Sequence, residues 1–165
     1  MKFVHRISYE ITLGLNYLVS KHILHRDLKS HNILLNVDSV PPWERVDLDT
    51  VPAQSLRACI CDFGLARHSD HLTQMTGTPG TPAWMAPEVI RNEPVDEKCD
   101  VYSFGVVLWE LMTRQTPWEG MEAAQIMFAV AGFDRRLPLP KDCPPAFAQL
   151  ISSCWHKVGR LGGGE

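Results

Sequence analysis

Two short polar segments hold the side chains of this chain that are best suited to chemistry. Asp27 and Lys29 lie two positions apart in the first segment, so both can face the same cleft, and Asn32 follows them closely. Asp62 begins the second segment, and Gly64 behind it permits a backbone turn that aims the carboxylate inward. Asn32 and Asp62 supply oxygen ligands, which Mg²⁺ prefers in small number together with phosphate oxygens. These residue types suit a hard cation, an acid and a lysine acting together, if folding brings the two segments close.

Cysteine and histidine residues around the second segment allow a different metal site. Cys59, Cys61, His68 and His71 are all zinc-ligand types, and they lie within one short stretch. Cys59 and Cys61 alternate along one predicted strand, directly before Asp62, so they face the same side. We interpret them as two small buried residues of a strand, with zinc binding as the competing interpretation.

A helix and a hairpin are predicted to position the first segment. We predict an amphipathic helix over residues 8–20 from apolar residues at helical spacing, namely Ile7, Ile11, Leu15 and Leu18. The apolar runs at residues 33–35 and 58–60 predict the two strands of a hairpin. Residues 37–57 are rich in proline and acidic side chains, which indicates a surface insert that joins those strands.

The remainder of the chain is predicted to be loop and helix. Residues 69–82 are rich in Thr, Gly and Pro and predict a loop. Residues 100–112 are apolar on nearly every face, which predicts a helix that is buried all round. Two further helices are predicted over residues 123–130 and 146–155. The expected fold is mainly α, with the functional side chains on loops.

The composition excludes several classes of protein. The 165 residues suit one domain, and a hydrophobic content of 45% with 21% charged residues is near globular averages. A net charge of −3 gives no general attraction to nucleic acid or to an anionic membrane. The most apolar stretch, residues 101–112, is too short to span a bilayer. Five cysteines without the density of a disulfide scaffold, and no signal segment, predict a cytoplasmic location.

Three motifs, taken in order, relate the chain to a known family. They are His25-Arg26-Asp27-Leu28-Lys29-Ser30-His31-Asn32, Asp62-Phe63-Gly64 and Ala86-Pro87-Glu88. In order and type they resemble the catalytic loop, the magnesium loop and the end of the activation segment of eukaryotic protein kinases. The resemblance runs from Ile7 to Trp155. It implies a mainly α, protein-kinase-like C-terminal lobe, in which a helical bundle carries a small β-hairpin with the catalytic loops.

The resemblance also implies an activity, with ATP and Mg²⁺ as cofactors. Asp27 would accept or orient the proton of a substrate hydroxyl, and Lys29 would neutralise the phosphoryl group in transfer. Asn32 and Asp62 would hold the Mg²⁺ of the nucleotide. Leu34 would form the floor beneath the adenine ring, although its type also suits a plain core residue.

Further residues would support these loops. By resemblance, His25 and Phe63 pack so as to align the loops, and Asp100 bonds the backbone of the catalytic loop from the buried helix. Glu88 would pair with a later arginine, but the positions where that arginine is expected read Gly159, Gly162 and Gly163. Glu88 is therefore predicted to lack its partner, and such a loss in a buried pair can cost about 3–5 kcal/mol.

The class of kinase follows from smaller details. Thr81 matches the threonine that bridges the catalytic aspartate and lysine of serine/threonine kinases, and Lys29-Ser30 is also typical of that class. Tyrosine-kinase-like features are present too, in Trp84-Met85 and Cys154-Trp155. This mixture is typical of the tyrosine-kinase-like group of serine/threonine kinases. Together with the insert, it resembles the mixed-lineage and Raf-like branches.

Regulation by phosphorylation is a further implication. Arg26 would contact a phosphate on the activation segment, which would couple the charge of that phosphate to the order of the loop. The candidate acceptors, each of which could equally be an ordinary loop hydroxyl, are Ser69, Thr73, Thr76 and Thr78. The implied partners are a protein substrate and an upstream kinase.

The sequence contains no Gly-x-Gly-x-x-Gly loop and no lysine in a Val-Ala-Ile-Lys context. We therefore expect residues 1–157 to form a partial kinase domain, a C-terminal lobe without the N-terminal lobe, with a loose Gly-rich tail over residues 158–165. Apolar side chains that face the other lobe in a kinase would then be exposed, and this chain alone would have negligible kinase activity. A non-catalytic module that regulates a complete kinase is the alternative function.

Overall fold

Helices make up most of the regular structure, as the sequence predicts. The computed structural model describes residues 1–38, 50–68 and 80–156. In chain order its elements are α1 (Lys2–Ser20), β1 (Ile23–Leu24), β2 (Ile33–Val37), β3 (Leu56–Ile60), β4 (Arg67–His68), α2 (Pro87–Ile90), α3 (Lys98–Thr113), α4 (Ala123–Met127) and α5 (Pro145–Cys154). No helix in these ranges is both long enough and apolar enough to cross a membrane.

Helix α3 lies at the centre of the core. All of residues 102–109 are buried, which confirms the prediction of a helix surrounded on every side. The closest packing is against α5 at Gly105, where a Cβ atom would come within 2.6 Å of Trp155 Nε1 and 2.7 Å of Cys154 Cβ. Because glycine has no side chain, the two helices can approach this closely.

Helix α1 covers the hairpin formed by β2 and β3. It buries Ile7, Ile11 and Leu18, which confirms the amphipathic pattern. The helix begins at Lys2, earlier than the predicted residue 8, because Phe3 and Val4 also pack against the core and extend the apolar stripe by more than one turn.

The predicted hairpin is present and antiparallel. Ile33 pairs with Ile60 at one end and Val37 pairs with Leu56 at the other. Both strands therefore extend into the predicted 37–57 insert, because Val37, Leu56 and Arg57 lie in the ladder. Residues 39–49 of the insert are outside the described ranges.

A second pair of strands is not foreseen by the sequence. β1 and β4 are two residues long each, and they pair antiparallel with Leu24 opposite Arg67. The predicted helix over residues 123–130 is also interrupted, since α4 ends at Met127 and a π-helical turn follows over Phe128–Gly132. Only residues 80–82 of the predicted loop over 69–82 are described.

Asp100, near the start of α3, holds the loop that precedes β2. We call residues 25–32 the His25–Asn32 loop. Asp100 Oδ2 accepts the backbone N–H of His25 at 2.7 Å, and Oδ1 accepts that of Arg26 at 2.8 Å. Burial raises the pKa of Asp100, while the two N–H donors act in the opposite direction by stabilising the carboxylate. The expected contact between the buried helix and the loop backbone is confirmed.

Substituting Gly105 tests the close approach of α3 and α5. Gly105→Ala should lower the free energy of unfolding by about 1–3 kcal/mol, because overpacking exceeds the gain from replacing a helical glycine. The matched control is Gly14→Ala in α1, where a Cβ atom meets only the flexible end of Ile60. Urea unfolding of both variants measures the difference. A Gly105→Ala chain at least as stable as Gly14→Ala would contradict this packing.

Substituting Asp100 tests the attachment of the loop. Asp100→Asn replaces one acceptor with an NH₂ donor, so one buried backbone N–H loses its partner. The free energy of unfolding should fall by about 1–3 kcal/mol. Asp142→Asn, at an exposed site, should change it by less than about 0.5 kcal/mol. Equal urea midpoints for the two variants would show that the two hydrogen bonds do not hold the loop.

Candidate active site

The His25–Asn32 loop is fixed from within as well as from α3. His25 is fully buried, and its Nδ1 accepts the backbone N–H of Asp27 at 3.4 Å. Its Nε2 therefore carries the proton that it donates to the carbonyl of Cys61 at 3.0 Å. His25 thus connects the loop to the residue just before Asp62. Its ring also contacts Phe63, with the ring centroids 5.1 Å apart.

Asp27, Lys29 and Thr81 form a closed triangle of hydrogen bonds. Lys29 Nζ donates to Asp27 Oδ2 at 2.7 Å and to Thr81 Oγ1 at 2.8 Å. The Thr81 hydroxyl donates to Asp27 Oδ1 at 2.8 Å. The structure thus brings together the three residues that the sequence predicts to be catalytic, although Thr81 is far from the other two along the chain.

The environment of Asp27 keeps its carboxylate ionised. Burial by itself would raise the pKa of Asp27, but hydrogen bonds from Lys29, Thr81 and Asn32 and the charge of Lys29 outweigh it, and the pKa is lowered. At neutral pH the group is an acceptor with no proton of its own. It can therefore receive a hydrogen bond from a hydroxyl placed against it.

Asn32 and Asp62 have oxygen atoms free to bind a hard cation. Asn32 is buried and its Nδ2 donates to the backbone carbonyl of Asp27 at 2.9 Å, which leaves its Oδ1 available. The Asp62 carboxylate is exposed and accepts a hydrogen bond from the Gly64 N–H at 3.3 Å. One amide oxygen and one carboxylate suit Mg²⁺, which takes few protein ligands and completes its shell with water and phosphate.

Gly64 serves this motif for a different reason from the one predicted. The turn is made by Asp62 itself, whose φ of 61° lies in the left-handed region. Gly64 matters because a Cβ atom there would lie 3.2 Å from Asp62 Oδ1. Its missing side chain leaves room for the carboxylate.

Several large apolar side chains in and after the hairpin are exposed. Leu34, Leu35 and Phe63 are exposed by 59%, 49% and 48%. The expectation of exposed apolar side chains here is confirmed. Leu34 is thus not a core residue, and its contact with adenine stays a prediction.

Arg26 is accompanied by a second arginine that the sequence reasoning missed. Burial and the charge of Arg67 both lower the pKa of Arg26. Within the described ranges, Arg26 Nε is buried without a hydrogen-bond partner. Two guanidinium groups close together suit an anion. The signal was available, since Arg67 follows the Asp62-Phe63-Gly64 motif by a few residues. The candidate phosphorylation sites Ser69, Thr73, Thr76 and Thr78 lie outside the described residues.

Glu88 lies half-buried at the start of α2. Burial raises its pKa, opposed by its own backbone N–H and by the charge of Arg91. Among the described residues it makes no ion pair. The glycines predicted to replace its arginine partner lie beyond residue 156, outside those ranges.

The zinc interpretation gains no support from the geometry. Across residues 1–38, 50–68 and 80–156, no three His, Cys, Asp or Glu side chains are placed to hold a metal ion. Cys59 lies in β3 and Cys61 follows it, but the prediction that both are buried is wrong: Cys59 is exposed and Cys61 is half-buried. His71 is outside the described ranges.

Glu110 is a site residue that sequence reasoning missed. Its two carboxylate oxygens accept the Ser30 hydroxyl and the Trp84 indole N–H, each at 2.8 Å. Burial raises the pKa of Glu110, and these two donors counteract it. The signal in the sequence was the single acidic residue within the apolar stretch 101–112.

Comparisons with known proteins agree with this geometry. The family model described as protein tyrosine and serine/threonine kinase matches residues 1–160. The chain is 46% identical over 160 residues to the probable serine/threonine-protein kinase SIS8 of Arabidopsis thaliana, which covers 94% of this chain and 14% of that protein. It is 42% identical over 152 residues to the serine/threonine/tyrosine-protein kinase HT1 of Arabidopsis thaliana, covering 92% of this chain and 35% of that protein.

An animal relative gives the same result. Mitogen-activated protein kinase kinase kinase 12 of Rattus norvegicus is 43% identical over 154 residues, covering 93% of this chain and 15% of that protein. The chain therefore spans about a third or less of the length of these relatives. They confirm the predicted tyrosine-kinase-like group. The chain belongs to the protein tyrosine and serine/threonine kinase family.

Proposed function

We propose that this protein is a serine/threonine protein kinase, which transfers the γ-phosphoryl group of ATP to protein hydroxyls. The observation that carries the proposal is the triangle of Asp27, Lys29 and Thr81, with Asn32 bonded to the same aspartate. A purely structural lobe has no need for a lysine, a threonine and an asparagine that converge on one ionised carboxylate.

Each residue of the triangle has a defined part in transfer. The substrate hydroxyl oxygen bonds to the γ-phosphorus as the bond from that phosphorus to the β–γ bridging oxygen breaks, and the hydroxyl proton passes to Asp27. Lys29 offsets the negative charge on the phosphoryl oxygens. Thr81 orients the Asp27 carboxylate by a hydrogen bond to Oδ1, and Lys29 orients it by a hydrogen bond to Oδ2. Asn32 Oδ1 and Asp62 would hold Mg²⁺, whose charge stabilises the phosphate oxygens when the ion is bound.

The substrate class rests on two supports. Thr81 contacts both members of the Asp27–Lys29 pair, as the resemblance to serine/threonine kinases implies. The two plant relatives are themselves called serine/threonine or serine/threonine/tyrosine kinases. We extend that activity to a protein substrate in the cytoplasm, with an upstream kinase acting on Ser69, Thr73, Thr76 or Thr78.

A non-catalytic role in binding a complete kinase is the second candidate. The exposed apolar side chains of Leu34, Leu35 and Phe63 favour it, because exposed apolar surface can be buried against a partner. The two candidates differ in one respect: only the enzyme requires Asp27 to be a carboxylate.

Phosphoryl transfer by a full-length protein that carries this sequence tests the proposal. With radiolabelled ATP, Mg²⁺ and a generic protein substrate, we expect serine and threonine labelling. Asp27→Asn should lower kcat by about 100- to 10,000-fold, the range for a general base. Asp142→Asn, the same change at an exposed site, should leave kcat unaltered. Equal labelling by Asp27→Asn and wild-type protein would exclude the enzymatic role.

Labelling by the 165-residue chain alone, lost in Asp27→Ala, would contradict the expectation that it is inactive by itself.

The pairing of Arg26 with Arg67 generates a prediction on regulation. Once Ser69, Thr73, Thr76 or Thr78 is phosphorylated, Arg26→Ala should reduce the activation by about 10- to 150-fold, since a hydrogen bond to a charged group contributes roughly 1.5–3 kcal/mol. Arg135→Ala, at an exposed arginine, serves as the control. Kinase activity before and after treatment with an upstream kinase is the measurement. Equal activation of Arg26→Ala and wild-type protein would rule out the phosphate contact.

A further inference from the structure

Helix α3 holds the His25–Asn32 loop with a second carboxylate besides Asp100. Glu110 lies ten positions further along the helix, which corresponds to a rise of about 15 Å. It accepts the hydroxyl of Ser30 at 2.8 Å, close to the other end of the loop. The reach of an extended chain from His25 to Ser30 is about 17 Å. The loop is thus held at both ends by one buried, rigid helix.

The other oxygen of Glu110 belongs to a different segment. It accepts the indole N–H of Trp84, which lies in the short 3₁₀ turn Pro82–Trp84 that directly follows Thr81. The backbone of Trp84 is fixed twice more, since its N–H donates to the carbonyl of Thr81 at 3.0 Å and its carbonyl accepts the hydroxyl of Ser103 at 2.8 Å. Trp84 is buried. The placement of Trp84 therefore determines where Thr81 lies.

We propose that Glu110 is a positioning residue for phosphoryl transfer, which fixes the Thr81 turn relative to the His25–Asn32 loop. This inference rests on the proposed function. Thr81 reaches Asp27 from a segment that is remote in sequence, so their 2.8 Å contact depends on how two separate segments are placed. From its place on α3, Glu110 accepts a hydrogen bond from each segment, one from Ser30 and one from Trp84. We call this pair of hydrogen bonds the Glu110 bridge, and each hydrogen bond one arm of it.

The chemistry of the bridge predicts which substitution preserves it. A tryptophan indole can only donate a hydrogen bond, whereas a serine hydroxyl can donate or accept. In Glu110→Gln, the amide oxygen can accept from Trp84 while the amide NH₂ donates to a rotated Ser30 hydroxyl. Both arms survive in a side chain of the same shape. Glu110→Ala removes both arms and leaves the indole N–H without a partner.

Steady-state kinetics of the full-length protein test the role. Glu110→Ala should lower kcat by roughly 10- to 100-fold, because a small misplacement of catalytic groups has an effect of that size. The KM for ATP should change by less than about twofold, since none of these groups is a nucleotide ligand. Glu110→Gln should restore kcat to within about threefold of wild type. The control is Glu119→Ala, at an exposed carboxylate. An unaltered kcat in Glu110→Ala, or a kcat in Glu110→Gln as low as in Glu110→Ala, would overturn the proposal.

Coupling between the two arms gives an independent check. Trp84→Phe keeps an aromatic ring and removes the N–H donor, so it breaks one arm alone. If Glu110 acts through Trp84, Glu110→Ala should lower kcat by a smaller factor in the Trp84→Phe background than in wild-type protein. Strictly additive losses would contradict the bridge.

A structural readout separates this inference from the proposed function. In the same protein with ¹³C-labelled threonine methyl groups, the Thr81 signal should shift in Glu110→Ala and stay in place in Glu110→Gln and Glu119→Ala. If the wild-type protein showed no phosphoryl transfer, the proposed function would be refuted. The Thr81 signal would still show whether Glu110 positions the Thr81 turn. An unshifted Thr81 signal in Glu110→Ala would overturn the positioning role whatever the activity.

Discussion

The hydrogen bonds from the backbone of His25 and Arg26 to the carboxylate of Asp100 are the constraint on which the rest of the site depends. A buried carboxylate requires donors, and here the donors are two backbone N–H groups at the start of the His25–Asn32 loop, which lie outside any helix or strand. The carboxylate lies on the most deeply buried helix of the described fold, so it cannot follow a moving loop. The core therefore fixes the position of the loop, and with it the position of Asp27.

Three carboxylates of the site differ because their surroundings differ. Burial dominates at Asp100 and Glu110 and raises their pKa values, although each accepts two hydrogen bonds. At Asp27 the hydrogen bonds from Lys29 and Thr81 outweigh burial and lower the pKa. The first two groups act on the protein, by holding backbone and side chains. Asp27 instead keeps an ionised carboxylate, which a substrate hydroxyl needs as its acceptor. The fold thus separates carboxylates that position the site from the one proposed to react.

Features that depend on local pattern or on the motifs could be predicted from the sequence. Helical periodicity indicated α1, and a stretch that is apolar on nearly every face indicated α3. Apolar runs indicated the hairpin, and the motifs indicated Asp27, Lys29 and Thr81. Features that depend on contacts between remote segments could not be predicted. The two-residue strands β1 and β4 are too short to carry a pattern. Glu110 has no partner that is visible in sequence, because Ser30 and Trp84 reach it only after folding. The backbone turn was assigned to Gly64, whereas the positive φ lies at Asp62, because φ at that residue is set by the folded loop.

Hydrogen exchange at the backbone amides of His25 and Arg26 tests the central claim most directly. If Asp100 holds the loop as described, both amides exchange only through opening of the core, with protection close to that of the buried turns of α3. Fast exchange at these two amides, at the rate of exposed loop residues in the same protein, would contradict the account. It would show that the loop moves independently of the helix.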